Sequence, residues 1–265
     1  MKVLATWSIK GGVGKTSAAA NLAYLAAREG RRTLLWDLDP QGAATYLFSV
    51  KDKVKGGSAG LVRARGALPE RIRASAVPRL DVLPANLRLR DLDLALDAVK
   101  RPTERVLQLL DSVADDYDVA VLDCPPSVSL VSENVVWAAD VILVPVVPAA
   151  LSVRTFDQVV QFVGSIAADR LPTVLGFLSL VDGRRRLHRE LIEQLTVRHD
   201  MIAMTPIPDS AVIESMGERR APVVQFAPRS TGAKAYEELW IEVARRLWPT
   251  LSVHPLHWSS DTSDG

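Results

Sequence analysis

The chain has 265 residues, 48% of them apolar, and its 32 basic residues nearly balance its 31 acidic ones. This composition excludes a polycation and predicts one domain over residues 1–250 that buries a full core, followed by a polar, flexible tail over residues 251–265. The single cysteine, Cys124, excludes a disulfide framework within one chain. The sequence has no signal-peptide pattern and no run of about 18 apolar residues, so we expect a soluble, cytoplasmic protein.

The N-terminal segment predicts a strand over residues 3–7, a glycine-rich turn and an alanine-rich helix over residues 17–28. Glycine in such a turn can adopt positive φ and direct its N–H group at a phosphate, and the helix N-terminus also favours an anion. Lys15 supplies positive charge, and the Thr16 hydroxyl can ligate Mg²⁺. The segment therefore predicts a nucleoside triphosphate site formed by Gly11, Gly12, Val13, Gly14, Lys15, Thr16 and Ser17.

Two carboxylates follow the second predicted strand, over residues 33–36. Asp37 and Asp39 are separated by one residue, so they point to the same side of an extended chain. Ligands bind at the carboxyl ends of strands in open parallel sheets, and we therefore expect both side chains to face the glycine-rich turn. The alternative interpretation is that Asp39 caps the turn before Pro40.

The stretch from residue 49 to residue 76 is rich in lysine, glycine and arginine. It predicts a short basic helix on a solvated surface. A strand over residues 80–83 follows, and then a helix over residues 102–113 whose apolar stripe should face the core. The arginines of the basic helix are Arg63, Arg65, Arg71 and Arg73.

A third acidic position ends the apolar run over residues 119–122. A run that is apolar on both faces is typical of a central parallel strand. Asp123 at its end can hold a Mg²⁺-bound water, and the two prolines that follow stiffen the next turn. We interpret Cys124, which lies between Asp123 and the two prolines, as a small buried residue and not as a nucleophile.

The second half of the chain continues to alternate between strands and helices. It predicts strands at residues 141–144 and 174–180, a helix from about residue 152, and a core-facing helix over residues 234–248. Repeated alternation of this kind is typical of an α/β fold with three layers, in which helices flank both faces of a mostly parallel, twisted β-sheet.

A cationic cluster stands at the start of another predicted helix. Arg184, Arg185 and Arg186 are adjacent, and His188 and Arg189 follow. Positive charge at a helix N-terminus is electrostatically unfavourable for the helix. The charge pattern by itself leaves two interpretations open, contact with nucleic acid phosphates or an ordinary solvated surface.

Three motifs together resemble one family of ATPases. KGGVGKT departs from the general motif G-x-x-x-x-G-K-[ST], because Ile9 replaces the first glycine, and it contains a second lysine, Lys10. It resembles the deviant Walker A loop of the ParA/MinD family. DLDPQG resembles switch I and DCPPS resembles switch II of that family, and the resemblance covers roughly residues 1–248. It implies a P-loop NTPase fold of the deviant Walker A type, with ATP and Mg²⁺ as cofactors.

The resemblance also implies a role for each site residue. Lys10 would reach the nucleotide of a partner subunit, Lys15 would hold phosphates, and Asp39 would position the attacking water. Pro208, in the closing region of the chain, would lie against the adenine. The implied metal residues are Thr16, Asp37 and Asp123.

ParA-type proteins use a basic loop on DNA phosphates, and the resemblance places the 184–189 cluster there. Asp209 and Val212 stand where many chromosomal ParA proteins have basic residues. Arg219 and Arg220, a few residues further on, are therefore the candidate replacements. The DNA-binding residues expected on this basis are Arg184, Arg186, Arg189, Arg219 and Arg220.

We therefore expect a slow, partner-stimulated ATPase. It would form a homodimer on binding ATP and Mg²⁺, bind nonspecific double-stranded DNA on the nucleoid in that state, and be reset by a ParB-like or cargo-adaptor protein to position a plasmid, chromosome or other cargo. The alternatives are a MinD-like membrane-associated regulator, an orphan ATPase of the family without DNA binding, a small-molecule kinase or ligase, and a structural nucleotide-binding module. The polar, acidic C-terminus disfavours membrane attachment, and one cysteine cannot supply the usual pair of an iron–sulfur reductase.

Overall fold

The computed structural model describes residues 1–51, 56–63, 68–166, 171–186, 188, 190–192, 195 and 201–249. Within these ranges, seven strands form one sheet in the order β3-β4-β2-β5-β1-β6-β7. Every neighbouring pair is parallel except β3 and β4. The strands are β1 Lys2–Thr6, β2 Thr33–Asp37, β3 Arg73–Ala74, β4 Leu80–Leu83, β5 Val119–Asp123, β6 Val141–Val146 and β7 Thr173–Leu178.

The longer helices are α1 Lys15–Arg28, α6 Leu130–Ala138, α7 Ala150–Ser165 and α11 Thr231–Leu247. The shorter ones are α2 Ala43–Leu47, α3 Gly57–Val62, α4 Leu92–Asp97, α5 Arg105–Asp111, α8 Ala211–Glu214, α9 Met216–Arg219 and α10 Val223–Phe226. None of the described helices is both long and apolar enough to cross a membrane.

The sheet separates two hydrophobic cores. Helices α1 and α11 cover one face, and helices α4 to α7 cover the other. Strand β5 shows the alternation behind this arrangement, because Val119 and Val121 face the α1 side while Ala120 and Leu122 face the opposite side. All of its residues are buried, as a central parallel strand requires. The predicted three-layer, mostly parallel α/β fold is confirmed.

The predicted basic helix around residues 63–73 is wrong. Its described part contains a 3₁₀ turn at Pro69–Arg71 and the edge strand β3, and Arg65 lies outside the described residues. Arg73 pairs with Val82 of β4, the next strand in the chain, so antiparallel pairing of two consecutive strands overrides the helical pattern. The predicted helix over residues 102–113 begins only at Arg105. The tail over residues 251–265 lies outside the described residues, and the domain boundary at residue 250 stays a prediction.

Residues 201–209 run along the outer side of β7. The backbone of Gly176 bonds to Met201 and Ala203, and Val181 bonds to Ile207 and Asp209. Val181 and Pro208 form a parallel bridge. No local periodicity in the sequence predicts this segment, and its pairing carries Pro208 to the carboxyl edge of the sheet.

Candidate nucleotide-binding site

The loop between β1 and α1 adopts the conformation that its glycines were expected to permit. Gly12 and Gly14 have φ of +69° and +96°, in the left-handed region that favours glycine, whereas Gly11 is not among the residues with positive φ. Gly14 directly precedes α1, and a Cβ there would lie 2.7 Å from Ser179 Oγ. The loop therefore leaves the first N–H groups of a 14-residue helix open to the cleft.

The two lysines of the loop have different environments. Lys15 is 6% exposed, and its Nζ donates to the Lys10 carbonyl at 3.1 Å. Burial lowers the pKa of Lys15, and the carboxylates of Asp123 and Asp39 oppose that shift. Lys10 itself is exposed, and its backbone N–H donates to Ser8 Oγ at 3.3 Å. Lys15 is thus held over the loop, while the side chain of Lys10 is open to contact from outside.

The carboxyl ends of three strands bring two acids together. Asp123 stands opposite Thr6 in the β1–β5 register and opposite Asp37 in the β2–β5 register. Burial raises the pKa of Asp123 well above its ordinary value, the nearby Asp37 raises it further, and a hydrogen-bonding contribution from Thr16 lowers it. Among the described residues, Asp123 Oδ2 has no hydrogen-bond partner although it is buried. A buried carboxylate oxygen without a partner, beside a threonine hydroxyl, fits a hydrated divalent cation.

Asp37 has a different set of partners. Its Oδ2 accepts from the Thr45 N–H at 2.8 Å and from the Thr45 hydroxyl at 2.7 Å, and its Oδ1 accepts from the Asp39 N–H at 3.1 Å. Burial raises the pKa of Asp37 to about 6, against the lowering effect of these bonds. Asp39 is only partly buried, and its Oδ1 accepts from the Gln41 N–H at 2.9 Å. The assignment of Asp37 to the metal shell stays a prediction.

One cleft of about 910 Å³ contains the predicted nucleotide residues. All seven residues from Gly11 to Ser17 line it, together with Asp39 and Pro208. The sequence analysis did not single out the opposite wall, which includes Tyr46, Ile213 and Met216. These residues lie on short helices whose apolar positions carry no motif, so the cleft could be recognised only from the tertiary structure.

Cys124 is a buried core residue, as interpreted from the sequence. It is 1% exposed and its backbone N–H donates to the Thr6 carbonyl at 3.2 Å. Burial raises the pKa of its thiol well above the ordinary value, which disfavours the thiolate that a nucleophilic cysteine needs.

Arg184, the first arginine of the cluster, is exposed and paired with carboxylates. Its Nε and Nη2 donate to the two oxygens of Asp182 at 3.0 and 3.2 Å, and Arg185 approaches the same carboxylate at 3.7 Å. The hydrogen bond to Asp182 raises the pKa of Arg184 most, and the negative charges of Asp182 and Asp209 raise it further. Asp209, expected to weaken the basic surface, is thus within electrostatic range of the cluster. Arg189 lies outside the described residues.

The other predicted DNA-binding arginines are also exposed. Arg186 Nε donates to Glu190 Oε1 at 2.6 Å. Arg219 is the last residue of α9, and Arg220 follows it. The guanidinium of Arg220 lies 4.5 Å from the ring centre of Tyr46, and its Nε donates to the Tyr46 carbonyl at 3.4 Å. Arg220 is therefore attached to the wall of the nucleotide cleft. The assignment of these arginines to DNA stays a prediction.

Comparison with known proteins identifies the family. A family model described as an AAA domain matches residues 1–174. The sporulation initiation inhibitor protein Soj of Bacillus subtilis is 31% identical over 249 residues, which cover 92% of this chain and 98% of that protein. The chain belongs to the ParA/MinD family of P-loop ATPases. The chromosome-partitioning ATPase Soj of Treponema pallidum is 28% identical, with 92% of this chain and 98% of that protein covered.

Solved structures agree with this ParA/MinD assignment. Cobyrinic acid a,c-diamide synthase of Mycobacterium smegmatis, with bound ADP and magnesium, superposes with a TM-score of 0.76 at 26% identity, covering 94% of this chain and 96% of that one. Apo McdA of Cyanothece superposes with a TM-score of 0.79 over 92% of this chain and 99% of that one, and at 19% identity it supports the fold alone. The predicted family and P-loop fold are confirmed, and the protein is a partition or positioning ATPase of this family.

Proposed function

We propose that the protein is an ATP-driven switch that controls binding to DNA. ATP and Mg²⁺ would join two copies, the joined copies would bind nonspecific double-stranded DNA in the cytoplasm, and hydrolysis stimulated by a ParB-like or cargo-adaptor protein would separate them. The cargo would be a plasmid, a chromosome or another assembly. The observation that carries the proposal is that one cleft brings the glycine-rich loop, Asp39 and Pro208 together at the carboxyl edge of the sheet.

The glycine-rich loop supplies the groups that bind the phosphates. The N–H groups of residues 11–17 and the Lys15 ammonium face a chain of negative oxygens, as the left-handed glycines and the open N-terminus of α1 permit. Pro208, which lines the same cleft, would border the base. The buried Lys15 exchanges its bond to the Lys10 carbonyl for a phosphate oxygen when nucleotide binds.

Thr16 and Asp123 would hold Mg²⁺. Asp37 stands opposite Asp123 in the register of the neighbouring strand, β2. The bound cation neutralises negative charge on the phosphate oxygens. The free Oδ2 of Asp123 and the Thr16 hydroxyl are the groups in this chain that fit it. The carboxylate would hold a cation-bound water, and the hydroxyl would ligate the cation directly.

Asp39 and Lys10 would carry the hydrolytic step. Asp39 lines the cleft and is partly exposed, so its carboxylate can orient a water for in-line attack on the terminal phosphate. Lys10 is exposed beside the same loop, from where it can reach the nucleotide of a second copy and stabilise negative charge there. The second copy therefore completes the site, which makes hydrolysis depend on dimerisation.

DNA binding by the purified protein, with ADP or with ATP and Mg²⁺, tests the proposal directly. We expect binding only with ATP and Mg²⁺, weakening as salt rises, because contacts to phosphates release counterions. Arg184→Ala/Arg186→Ala should reduce the slope of log affinity against log salt by about 4, because each of the two joined copies loses two contacts to phosphates. Arg90→Ala/Arg101→Ala is the matched control, since each is an exposed arginine paired with a carboxylate outside this surface. Equal binding with ADP and with ATP would contradict the switch.

A second candidate function is an ATP-dependent ligase. The Mycobacterium smegmatis structure named cobyrinic acid a,c-diamide synthase favours it, because the two chains match over nearly their whole lengths. Such an enzyme would consume ATP only in the presence of a carboxylic acid acceptor and an amine source. ATP hydrolysis by the protein with no acceptor present, together with ATP-dependent DNA binding, would decide against the ligase.

A further inference from the structure

Thr45 connects three separate segments of the chain near the proposed site. The residue is 2% exposed and lies in α2, directly after the switch I sequence. Its hydroxyl and its N–H both donate to Asp37 Oδ2, at 2.7 and 2.8 Å. The same hydroxyl accepts from the Ala85 N–H at 2.9 Å, just beyond β4. One side chain thus joins the end of β2, helix α2 and the exit from β4.

Asp37 extends these contacts to the residue proposed to orient water. Its other oxygen, Oδ1, accepts from the Asp39 N–H at 3.1 Å. Two further bonds close the turn around Asp39: its carboxylate accepts from Gln41, and its carbonyl accepts from Gly42 at 2.9 Å. The orientation of the Asp37 carboxylate, set by Thr45, therefore determines the backbone position from which the Asp39 side chain enters the cleft.

The switch I turn has a second contact with the segment after β4. Gly42 has φ of +67°, and a Cβ on it would lie 3.0 Å from the Ala85 carbonyl oxygen. Ala85 is 1% exposed, so it cannot withdraw toward solvent. The turn is held against Ala85 at Gly42 and again at Thr45, so the backbone on the C-terminal side of Asp39 is fixed at two points.

We infer that Thr45 is a positioning residue for ATP hydrolysis, acting through Asp37 on Asp39. This inference rests on the proposed function of Asp39. A catalytic carboxylate must be held within about 0.5 Å of its productive position, and buried hydrogen bonds from a second layer of side chains are the usual means. Loss of the Thr45 hydroxyl would leave Asp37 Oδ2 with one donor and the Ala85 N–H without its acceptor.

Three variants test the inference. Thr45→Val removes the hydroxyl and keeps the shape, Thr45→Ser restores the hydroxyl, and Thr33→Val is the matched control. Thr33 is also buried, and its hydroxyl donates to the Arg31 carbonyl at 3.0 Å, but it lies at the start of β2, at the opposite end of the strand from Asp37. We expect Thr45→Val to lower kcat about tenfold while the Kd for ATP changes less than about threefold. Thr45→Ser should regain most of the loss, and Thr33→Val should keep the wild-type kcat.

A measurement without nucleotide provides an independent test. Amide hydrogen exchange at Asp39 should become about tenfold faster in Thr45→Val, but not in Thr45→Ser or Thr33→Val, because the acceptor of that amide is no longer oriented. Unchanged exchange at Asp39, or equal losses of kcat in Thr45→Val and Thr33→Val, would overturn the inference. Asp39→Ala distinguishes failure of the proposed function of Asp39 from failure of the inference about Thr45. If it keeps the wild-type rate of hydrolysis, the proposed function of Asp39 fails; if it abolishes hydrolysis while Thr45→Val retains it, only the inference about Thr45 fails.

Discussion

The carboxyl edge of the central strands and the arginine surface, formed by Arg184, Arg185 and Arg186, differ in how far their charged side chains are exposed to solvent. At the edge, Asp37 and Asp123 are completely buried, in register on neighbouring strands. On the surface, the side chains of Arg184 and Arg186 are 92% and 86% exposed, and each pairs with a carboxylate nearby in sequence. Solvent and salt weaken interactions between exposed charges much more than those between buried ones. We therefore expect the candidate nucleotide site to tolerate substitution poorly, and we expect single charges to adjust the strength of the arginine surface.

We expect the largest effect from a substitution in the candidate nucleotide site, Gly14→Ala. The added Cβ would meet Ser179 Oγ at 2.7 Å in a backbone with φ of +96°, so the loop must move. Affinity for ATP should fall about 100-fold, because the amides no longer converge on the phosphates. Titration with a fluorescent ATP analogue measures this effect.

Gly30→Ala is the control for Gly14→Ala. Gly30 has φ of +89°, but a Cβ there meets nothing within 4 Å, and the residue lies beyond the other end of α1. Both variants should lose stability by roughly 1 kcal/mol or more through strain at positive φ. Only Gly14→Ala should lose affinity for ATP. Wild-type ATP affinity in Gly14→Ala would contradict the expectation that this site tolerates substitution poorly.

An intermediate effect is expected from mixing two inactive variants. Lys10→Ala and Asp39→Ala should each lower hydrolysis about 100-fold when assayed alone, since each loses one group that acts in the transition state. In a mixed dimer, one site would combine the intact Asp39 of one copy with the intact Lys10 of the other. An equal mixture should therefore recover roughly a quarter of the wild-type rate. A mixture as inactive as its components would show that Lys10 does not act across a dimer.

The smallest effect is expected on the adjustable surface, from Asp182→Asn. This change removes the negative charge shared by Arg184 and Arg185, while the amide oxygen can still accept from the Arg184 N–H. DNA affinity with ATP and Mg²⁺ should rise about threefold at low salt and less at high salt. Asp91→Asn, which releases Arg90 elsewhere on the surface, is the matched control. Binding assays at two salt concentrations would distinguish the two variants, and weaker binding by Asp182→Asn would contradict a role for Arg184.

The site residues that could be predicted are those whose local sequence already determines a conformation. The glycine-rich loop and Asp39 line the cleft, and Asp37 and Asp123 end their strands at the carboxyl edge, because strand ends and glycine turns are local properties. Asp37 was expected to face the loop as well, but its carboxylate bonds to Thr45 and it is not among the residues that line the cleft. The helix predicted around residues 63–73 failed, because Arg73 is drawn into pairing with a strand that follows it. The role of Thr45 could not be anticipated, since Asp37 and Ala85 become its neighbours only through the sheet.

The sequence by itself determined the alternation of the main strands and helices, the glycine-rich loop, the acids at the strand ends and the family. These depend on hydrophobic periodicity, on glycine and on residues close to one another in the chain. Only the tertiary structure decided the opposite wall of the cleft, the attachment of Arg220 to Tyr46 and the network that holds Asp39. The physical reason is that each of these contacts joins residues from segments that meet only when the parallel sheet assembles and the helices pack on it.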